Sequence, residues 1–416
     1  MYFILYGNNY LALRGLCNNP RREKYSNHHF VKGGTLVKYK SRVLVGVDEI
    51  TLVLVSLHKL KTDWLNEAEI MLTIFLKLSR LEELFGKMVF ANHSIPQGYT
   101  DGLTFDNQPW YLTIAWHEYL QDMGICIKFS AYAWTAYQKA FSDKYGEDMN
   151  ISVFLRMVQS SHYKARLSRI DMTADYFNFH KSFNPDTIYR GLNDKSIGIK
   201  DYKNRNITRT ISAVDRNGII STIYLGSKKS NTRYFSRIYD KRLEQIQTKG
   251  FRYDEALKCK SWIRHEAVFK SIYAHQITDE LLNITSPIEL QSFIAQKITE
   301  KCRFYDTSTN KEMKCTRALL YIMGNMKFNY LASIKAKDND LKRSIEYIMK
   351  GSGLYPTLYK TLEVWGDGAD RELFDYLFEQ YKNFYIDTAV KNKDLVTWIK
   401  KHRNVLNQQT LQDYLK

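Results

Sequence analysis

A tyrosine between two cations is the first feature of the sequence with the chemistry of an active site. In the segment STIYLGSKKSNTRYFSRIYDK, two short alternating runs, 222–225 and 234–239, flank a basic, hydroxyl-rich turn, a pattern that predicts a β-hairpin. Because strand side chains alternate, Arg237, Tyr239 and Lys241 are expected to share one face, with each cation about 7 Å from the tyrosine. Such cations would orient a phosphate and favour the phenolate. The alternative is an exposed strand face with a half-buried tyrosine.

Two further predicted strands carry carboxylates on one face. The run SRIDMTADY places Asp171 and Asp175 on the same side as Arg169, and WIRHEAVFK places Glu266 beside Arg264. Two carboxylates on one face repel each other and need a cation, either a metal ion or a partner side chain. Together, Asp171, Asp175 and Glu266 would make an all-oxygen site for Mg²⁺ or Mn²⁺ rather than zinc. The alternative is a set of structural ion pairs, for example between Asp171 and Arg264.

Several other kinds of catalytic site find no support in the sequence. The ten histidines include no His-x-His pair, which excludes a metal site built from two histidines on one strand, and His265 is expected to pack in the core. Neither a GxxxxGK[ST] phosphate loop nor a GxSxG elbow occurs. The five cysteines are odd in number and never in CxxC spacing, which argues against a disulfide framework or a zinc knuckle and predicts a reducing cytoplasm.

Composition points to a basic protein with a polyanionic partner. The chain has 416 residues, of which 44% are hydrophobic, and a net charge of +17. Nucleic acid is the first candidate partner and an anionic membrane surface the second, while the alternative is a lysine-rich protein without such a partner. No apolar run approaches the roughly 18 residues of a membrane span, and the first thirteen residues lack a basic start and a cleavage site. Neither membrane insertion nor a signal peptide is expected.

The periodicity of the chain predicts an α+β protein in three parts. Residues 1–42 show no sustained period and are expected to form a poorly ordered arm or a small accessory element. Residues 43–282 are expected to form a mainly antiparallel sheet with flanking helices, in which 43–57 is the first core strand. The capping box at Ser286–Glu289 starts an all-helical C-terminal region, 283–416, that would contact DNA or a partner.

Taken in order, the segments SRIDMTAD, YLGSKKSNTRYFSRIYDKRLE and WIRHE resemble the replication initiation factor family. This family comprises the Rep_trans initiators of rolling-circle plasmids, with relatives among relaxases of integrative conjugative elements and filamentous-phage initiators. The resemblance covers about residues 43–282. It implies an enzyme whose tyrosine attacks a phosphodiester in single-stranded or extruded DNA, forms a 5′-phosphotyrosyl link and frees a 3′-OH for a polymerase.

The resemblance also implies roles for individual residues. Tyr239 matches the nucleophile, with Tyr224 as the runner-up. The divalent ion, Mg²⁺ or Mn²⁺, would be held by Asp171, Asp175 and Glu266, and charge on the phosphate would be stabilised by Arg237, Lys241 and Arg264. The expected DNA contacts are Lys228, Lys229, Arg233, Tyr234 and Arg169. By analogy with the family, a homodimer that recruits a host helicase is expected.

Three functions fit these motifs. The favoured one is a nicking enzyme that starts rolling-circle plasmid replication. A relaxase of a conjugative element would use the same chemistry at a transfer origin. A non-enzymatic DNA-binding regulator would keep the basic loop but would need neither Tyr239 nor the carboxylates.

Overall fold

The protein is described here from a computed structural model. The described residues are 28–32, 35–39, 41–58, 63–91, 95–179, 183–216, 218–229, 232–332 and 341–415. The chain divides into two compact units, Met1–Leu331 and Ala332–Lys416. Most of the predicted arm, residues 1–27, lies outside the described residues, but its end forms a two-stranded antiparallel sheet of β1 (His28–Lys32) and β2 (Thr35–Tyr39).

A ten-stranded antiparallel sheet forms the centre of the first unit, which confirms the predicted fold class. Its strands are β3 (Arg42–Ser56), β4 (Val89–Phe90), β5 (Asp101–Thr104), β6 (Leu112–Trp116), β7 (Ile125–Phe129), β8 (Tyr163–Phe177), β10 (Ile211–Arg216), β11 (Ile219–Leu225), β12 (Tyr234–Asp240) and β13 (Trp262–Lys270). Their order is β10-β11-β12-β13-β8-β3-β7-β6-β5-β4. A separate two-stranded sheet pairs β9 (Ile197–Lys200) with β14 (Arg303–Asp306).

Helices cover this sheet. They are α1 (Trp64–Ser79), α2 (Leu81–Phe85), α3 (Ala131–Tyr145), α4 (Ile151–Met157), α5 (Pro185–Asn193), α6 (Lys241–Thr248), α7 (Tyr253–Leu257), α8 (Ile272–Leu281), α9 (Pro287–Lys301) and α10 (Lys314–Met323). The predicted capping box is present at the start of α9, where Ser286 and Glu289 each accept a hydrogen bond from the other's backbone N–H. Because Phe293 and Ile298 of α9 are fully buried in the main core, the compact unit extends past residue 282 to Leu331.

The central strands β3 and β8 are fifteen residues long each and run antiparallel over most of their length. Their β-branched and apolar side chains favour extended backbone and fill the core, as the complete burial of Ile50 and Leu52 illustrates. Two irregularities interrupt the pairing, one between Val47 and Ile50 and one between Thr51 and Leu52. Between Val47 and Ile50, two residues of β3 lie opposite a single residue of β8, which is a β-bulge of acidic residues.

The second unit is helical, as predicted for this part of the chain. Its helices are α11 (Leu341–Lys350), α12 (Leu354–Trp365), α13 (Ala369–Gln380), α14 (Ile386–Ala389), α15 (Lys393–Leu406) and α16 (Leu411–Leu415), with a π-helical turn at Tyr381–Tyr385. Wherever burial is described in this unit, no side chain is buried. Throughout the described parts of the protein, no helix combines the length and apolarity that crossing a membrane requires.

Candidate active site

Four neighbouring strands, β12, β13, β8 and β3, bring the three predicted motifs to one face of the sheet. Tyr239 of β12 lies opposite Arg264 of β13, which in turn lies opposite Asp175 of β8. Arg237 lies opposite Glu266 in the same way. Directly paired residues point to the same side of a sheet, so these side chains gather in one cluster. The predicted hairpin is present, with Thr222 opposite Tyr239 in the β11–β12 ladder.

The hydroxyl of Tyr239 has a defined hydrogen-bond acceptor. It donates to Oε1 of Glu266 over 2.6 Å, while Nε of Arg237 donates to Oε2 of the same carboxylate over 2.5 Å. The guanidinium of Arg237 lies 5.3 Å from the centre of the tyrosine ring, and Nζ of Lys241 lies 5.6 Å from it. The two cations therefore flank the tyrosine, but only Arg237 does so through strand alternation, because Lys241 is the first residue of α6.

Arg237 favours the phenolate, as predicted, but other effects outweigh it. The pKa of Tyr239 is raised well above its ordinary value, chiefly because burial disfavours the phenolate and then because of the negative charge of Glu266; Arg237 acts in the opposite direction. Burial also acts to raise the pKa of Glu266, but the charges of Arg237 and Arg264 outweigh it and hold that pKa below its ordinary value. The pair is thus a neutral phenol bonded to a carboxylate.

Arg264 lies in the centre of the cluster and is fully buried. It donates from Nε and Nη2 to the two oxygens of Asp175 over 2.7 and 2.9 Å, and from Nη1 to Asp48 over 2.7 Å. Arg252 donates to Asp175 as well, over 3.0 Å. Burial lowers the pKa of Arg264 to about 10. A fully buried guanidinium bonded to two carboxylates does not fit the predicted contact with a phosphate.

Arg169 is engaged in a similar way. Its Nε and Nη2 donate to the two oxygens of Asp171 over 2.8 and 2.7 Å, and its Nη1 donates to Glu49 over 2.7 Å. Burial raises the pKa of Asp171 to about 7, although the charge of Arg169 opposes the shift. Ion pairing with two carboxylates does not fit the predicted DNA contact of Arg169.

Asp171, Asp175 and Glu266 do not fit a divalent ion in this arrangement. Each of the three accepts hydrogen bonds from an arginine, and the oxygens of Asp175 are shared between two guanidinium groups. The arrangement matches the alternative hypothesis of structural ion pairs, except that Arg264 pairs with Asp175 and Asp171 pairs with Arg169. A metal bound by these three carboxylates would have to displace the arginines.

Two acidic residues of the cluster, Asp48 and Glu49, were not predicted. Both lie in the β-bulge opposite Asp171, and the bulge brings both towards the same cluster, whereas consecutive residues of a regular strand face opposite sides. Burial, followed by repulsion from Glu266, raises the pKa of Asp48 to about 8. The signal in the sequence was a pair of acids inside the otherwise apolar run VLVGVDEITLVLV.

The remaining predicted residues surround the β11–β12 hairpin. Lys228 and Lys229 are exposed, and Nζ of Lys228 lies 3.2 Å from the ring centre of Tyr224. Tyr224 of β11 lies opposite Arg237, two positions along the ladder from the pair of Thr222 and Tyr239. Tyr234 is buried, with its hydroxyl bonded to Ser236, so its ring does not fit the predicted stacking on bases. Arg233 is partly exposed, and its DNA contact stays a prediction. His265 is buried, as predicted.

Comparisons with known proteins point to one family. The family model described as Replication initiation factor matches residues 165–375, which is more than half of the chain. The chain is also similar to a solved structure described as a Rolling Circle Replication Initiator Protein from Geobacillus stearothermophilus. The two share 16% sequence identity, and the match covers 70% of this chain and 100% of that chain with a TM-score of 0.45. No curated protein matches.

Proposed function

Since the chain belongs to the replication initiation factor family, we propose that it nicks one strand of origin DNA with Tyr239 and thereby starts rolling-circle replication of a plasmid. The observation that carries this proposal is the hydrogen bond from the Tyr239 hydroxyl to Glu266, with Arg237 and Lys241 beside the ring. A phenol bonded to a carboxylate and flanked by cations is the arrangement that a tyrosine nucleophile needs.

In the proposed step, Oη of Tyr239 attacks the phosphorus and the bond from phosphorus to the 3′ oxygen breaks. The phenolic proton passes to Glu266, and the departing 3′ oxygen takes a proton from solvent. The products are a 5′-phosphotyrosyl link and a free 3′-OH. Because the pKa of Tyr239 is raised, the proton must leave as the new bond forms, and an acceptor 2.6 Å away meets the geometric requirement of a general base.

Charge on the phosphate is assigned to Arg237, while the same role for Lys241 stays a prediction, because that side chain is buried and pairs with Glu244 over 2.8 Å. Arg237 is partly exposed and lies beside the tyrosine, whereas Arg264 is enclosed by carboxylates. Lys228 and Lys229 in the exposed turn are proposed to hold the DNA backbone, which sets position rather than sequence. Origin DNA is the proposed partner, while the homodimer, the host helicase and the cytoplasmic location stay predictions.

A divalent ion, Mg²⁺ or Mn²⁺, also stays a prediction of the family resemblance. Such an ion would polarise the scissile phosphate. The predicted ligands Asp171, Asp175 and Glu266 are engaged with arginines, so the proposed step uses the side chains of the chain itself. Comparing the reaction in Mn²⁺ with the reaction in EDTA tests the requirement directly.

The test is a denaturing gel with a labelled oligonucleotide that spans the native origin. Wild type is expected to give a covalent adduct with the DNA that lies 3′ of the cut, and Tyr239→Phe is expected to lose it by at least about a thousandfold. The matched control Tyr224→Phe should keep the adduct. Loss in Tyr224→Phe alone would move the nucleophile to Tyr224. Binding without any adduct, on single-stranded and supercoiled substrates alike, would instead favour the non-enzymatic regulator.

A further inference from the structure

A second cluster lies at the other end of the β3–β8 pair and contains imidazoles in place of arginines. His58 follows the end of β3, His162 precedes the start of β8, and Glu67 lies in the first turn of α1. One potential ligand atom from each of the three side chains lies within 4.8 Å of the other two. The distance along β3 from Asp48 to His58 is roughly 30 Å, so this cluster is separate from the candidate active site.

Backbone hydrogen bonding at the ends of β3 and β8 brings the two imidazoles of the cluster together. The N–H of Leu57 donates to the carbonyl of His162 over 3.0 Å, which extends the β3–β8 ladder past its last strand pair. The two imidazole rings then lie 5.4 Å apart, centre to centre. Ser56 bridges the cluster, because its Oγ donates to Oε1 of Glu67 over 2.9 Å and accepts from the N–H of His58 over 3.0 Å.

Burial of two polar groups in this cluster is only partly compensated, because Glu67 accepts a hydrogen bond from Ser56 but has no cationic partner among the described residues. Glu67 is 6% exposed, yet among the described residues no lysine or arginine forms an ion pair with it. Within the same part of the chain, Nδ1 of His162 is buried without a hydrogen-bond partner. Buried carboxylates are ordinarily paired or bound to a metal, and buried imidazole nitrogens are ordinarily hydrogen-bonded. Both groups therefore point to a ligand that would satisfy them together.

We propose that His58, Glu67 and His162 bind one transition-metal ion, with Zn²⁺ as the best chemical match. Two imidazoles and a carboxylate suit Zn²⁺, Ni²⁺ or Co²⁺, whereas Mg²⁺ prefers oxygen ligands alone. Zinc bonds of about 2.0–2.2 Å require the ligand atoms to approach one another further, and the exposed side chain of His58 is free to supply that movement. The ion would tie the first turn of α1 to the end of the central strand pair.

The ligand set also explains why this site escapes a search along single strands. The absence of a His-x-His pair concerns only a site built from two histidines on one strand. The two imidazoles here come from opposite ends of two different strands and meet only because β3 and β8 are antiparallel. The site does not depend on the proposed nicking reaction, because none of its residues contacts Tyr239 or Glu266.

Zinc binding to the full-length, tag-free chain provides the test, measured by calorimetry and by the visible absorption of Co²⁺ as a probe of coordination. Wild type is expected to bind one ion per chain. His58→Gln, at an exposed position, is expected to weaken binding by at least about tenfold and to remove the Co²⁺ absorption. Zinc should also raise the melting temperature of wild type but not of this variant.

Two controls separate this site from adventitious binding. His275→Gln removes a partly buried histidine of α8, and the double change His28→Gln and His29→Gln removes the adjacent pair near the N-terminus; both should bind zinc as wild type does. The proposal is overturned if wild type binds no zinc at the protein concentration used. It is equally overturned if His58→Gln and His162→Gln each bind with wild-type affinity.

Discussion

Among the described residues, buried carboxylates lie at both ends of the β3–β8 pair, several at one end and Glu67 alone at the other, but the groups that bind them differ. At one end, Asp171 and Asp175 each accept two hydrogen bonds from a single guanidinium. At the other end, Glu67 has a serine hydroxyl and two imidazoles as neighbours. A guanidinium cannot give up its charge at ordinary pH, whereas a neutral imidazole offers a lone pair.

Carboxylates alone therefore do not identify a metal site. Burying a carboxylate requires compensation, and either an arginine or a cation supplies it. Where arginines lie on the same face of the sheet, they form ion pairs with the carboxylates and compensate their burial. Where imidazoles lie nearby instead, a metal ion is the partner that satisfies all the groups at once.

The largest expected effect is at the active-site end. If Glu266 accepts the phenolic proton, Glu266→Gln should slow adduct formation by about a hundredfold to ten-thousandfold in single-turnover kinetics. The contrary result is informative, because the charge of Glu266 raises the pKa of Tyr239. Unchanged or faster nicking would mean that Glu266 only restrains the tyrosine. Glu83→Gln on the surface of α2 is the control, and circular dichroism should show that both variants fold.

A second prediction concerns stability at the same end. Arg264→Ala leaves the buried Asp175 carboxylate without its bidentate partner and Asp48 without a hydrogen-bond donor, so the free energy of unfolding should fall by about 3–5 kcal/mol in urea denaturation. Lys164→Ala, which breaks the exposed pair with Asp279, should cost less than about 1 kcal/mol. Similar losses in the two variants would contradict the assignment of Arg264 as the centre of a buried ion-pair cluster.

A third prediction follows from the raised pKa of Asp48, which is about 8. Between pH 5 and pH 8 the folded protein holds a proton there that the unfolded chain has lost, so this residue lowers the free energy of unfolding as the pH rises. Asp48→Asn should therefore reduce the fall in stability over that range by roughly 3–4 kcal/mol. Denaturation at several pH values measures the slope. Asp279→Asn, at the surface, should leave it unchanged.

The smallest expected effect tests whether the two ends are independent. His58→Gln removes one proposed zinc ligand roughly 30 Å along β3 from Asp48, so adduct formation should stay within about twofold of wild type. The same gel assay used for Tyr239→Phe measures it. A tenfold loss of nicking in a folded His58→Gln protein would show that the two clusters act in one mechanism and are not independent.

The period of two along each strand was enough to predict much of the active-site end. Alternation placed Arg237 and Tyr239 on one face of β12, and the structure gives both of them contacts with Glu266. A strand boundary also followed an apolar run, because β12 was predicted at 234–239 and spans Tyr234–Asp240. Alternation predicts on which face of the sheet a side chain lies, and for Arg237 and Tyr239 that prediction is confirmed.

A strand-by-strand analysis could not predict which residues pair between neighbouring strands. The pairing of Arg264 with Asp175 depends on the register of β13 against β8, and Arg252 reaches the same carboxylate from the start of α7. The raised pKa of Tyr239 arises from burial, which no local pattern reports. The strand β14 was missed because its four residues pair only with β9, far away in sequence.

The bulge in β3 has a consequence for how the protein tolerates insertions and deletions. It adds one residue to β3 between Val47 and Ile50, and a second irregularity between Thr51 and Leu52 adds one residue to β8. The two offsets cancel, so the pairing register of the two strands after the second irregularity is the same as before the bulge. Deleting one of the two bulge residues would leave the flanking pairs Val47–Met172 and Ile50–Ile170 intact, whereas deleting a residue elsewhere in either strand would turn the residues on one side of the deletion to the opposite face. The acidic bulge is therefore an insert that the sheet can lose without changing the faces of its other side chains.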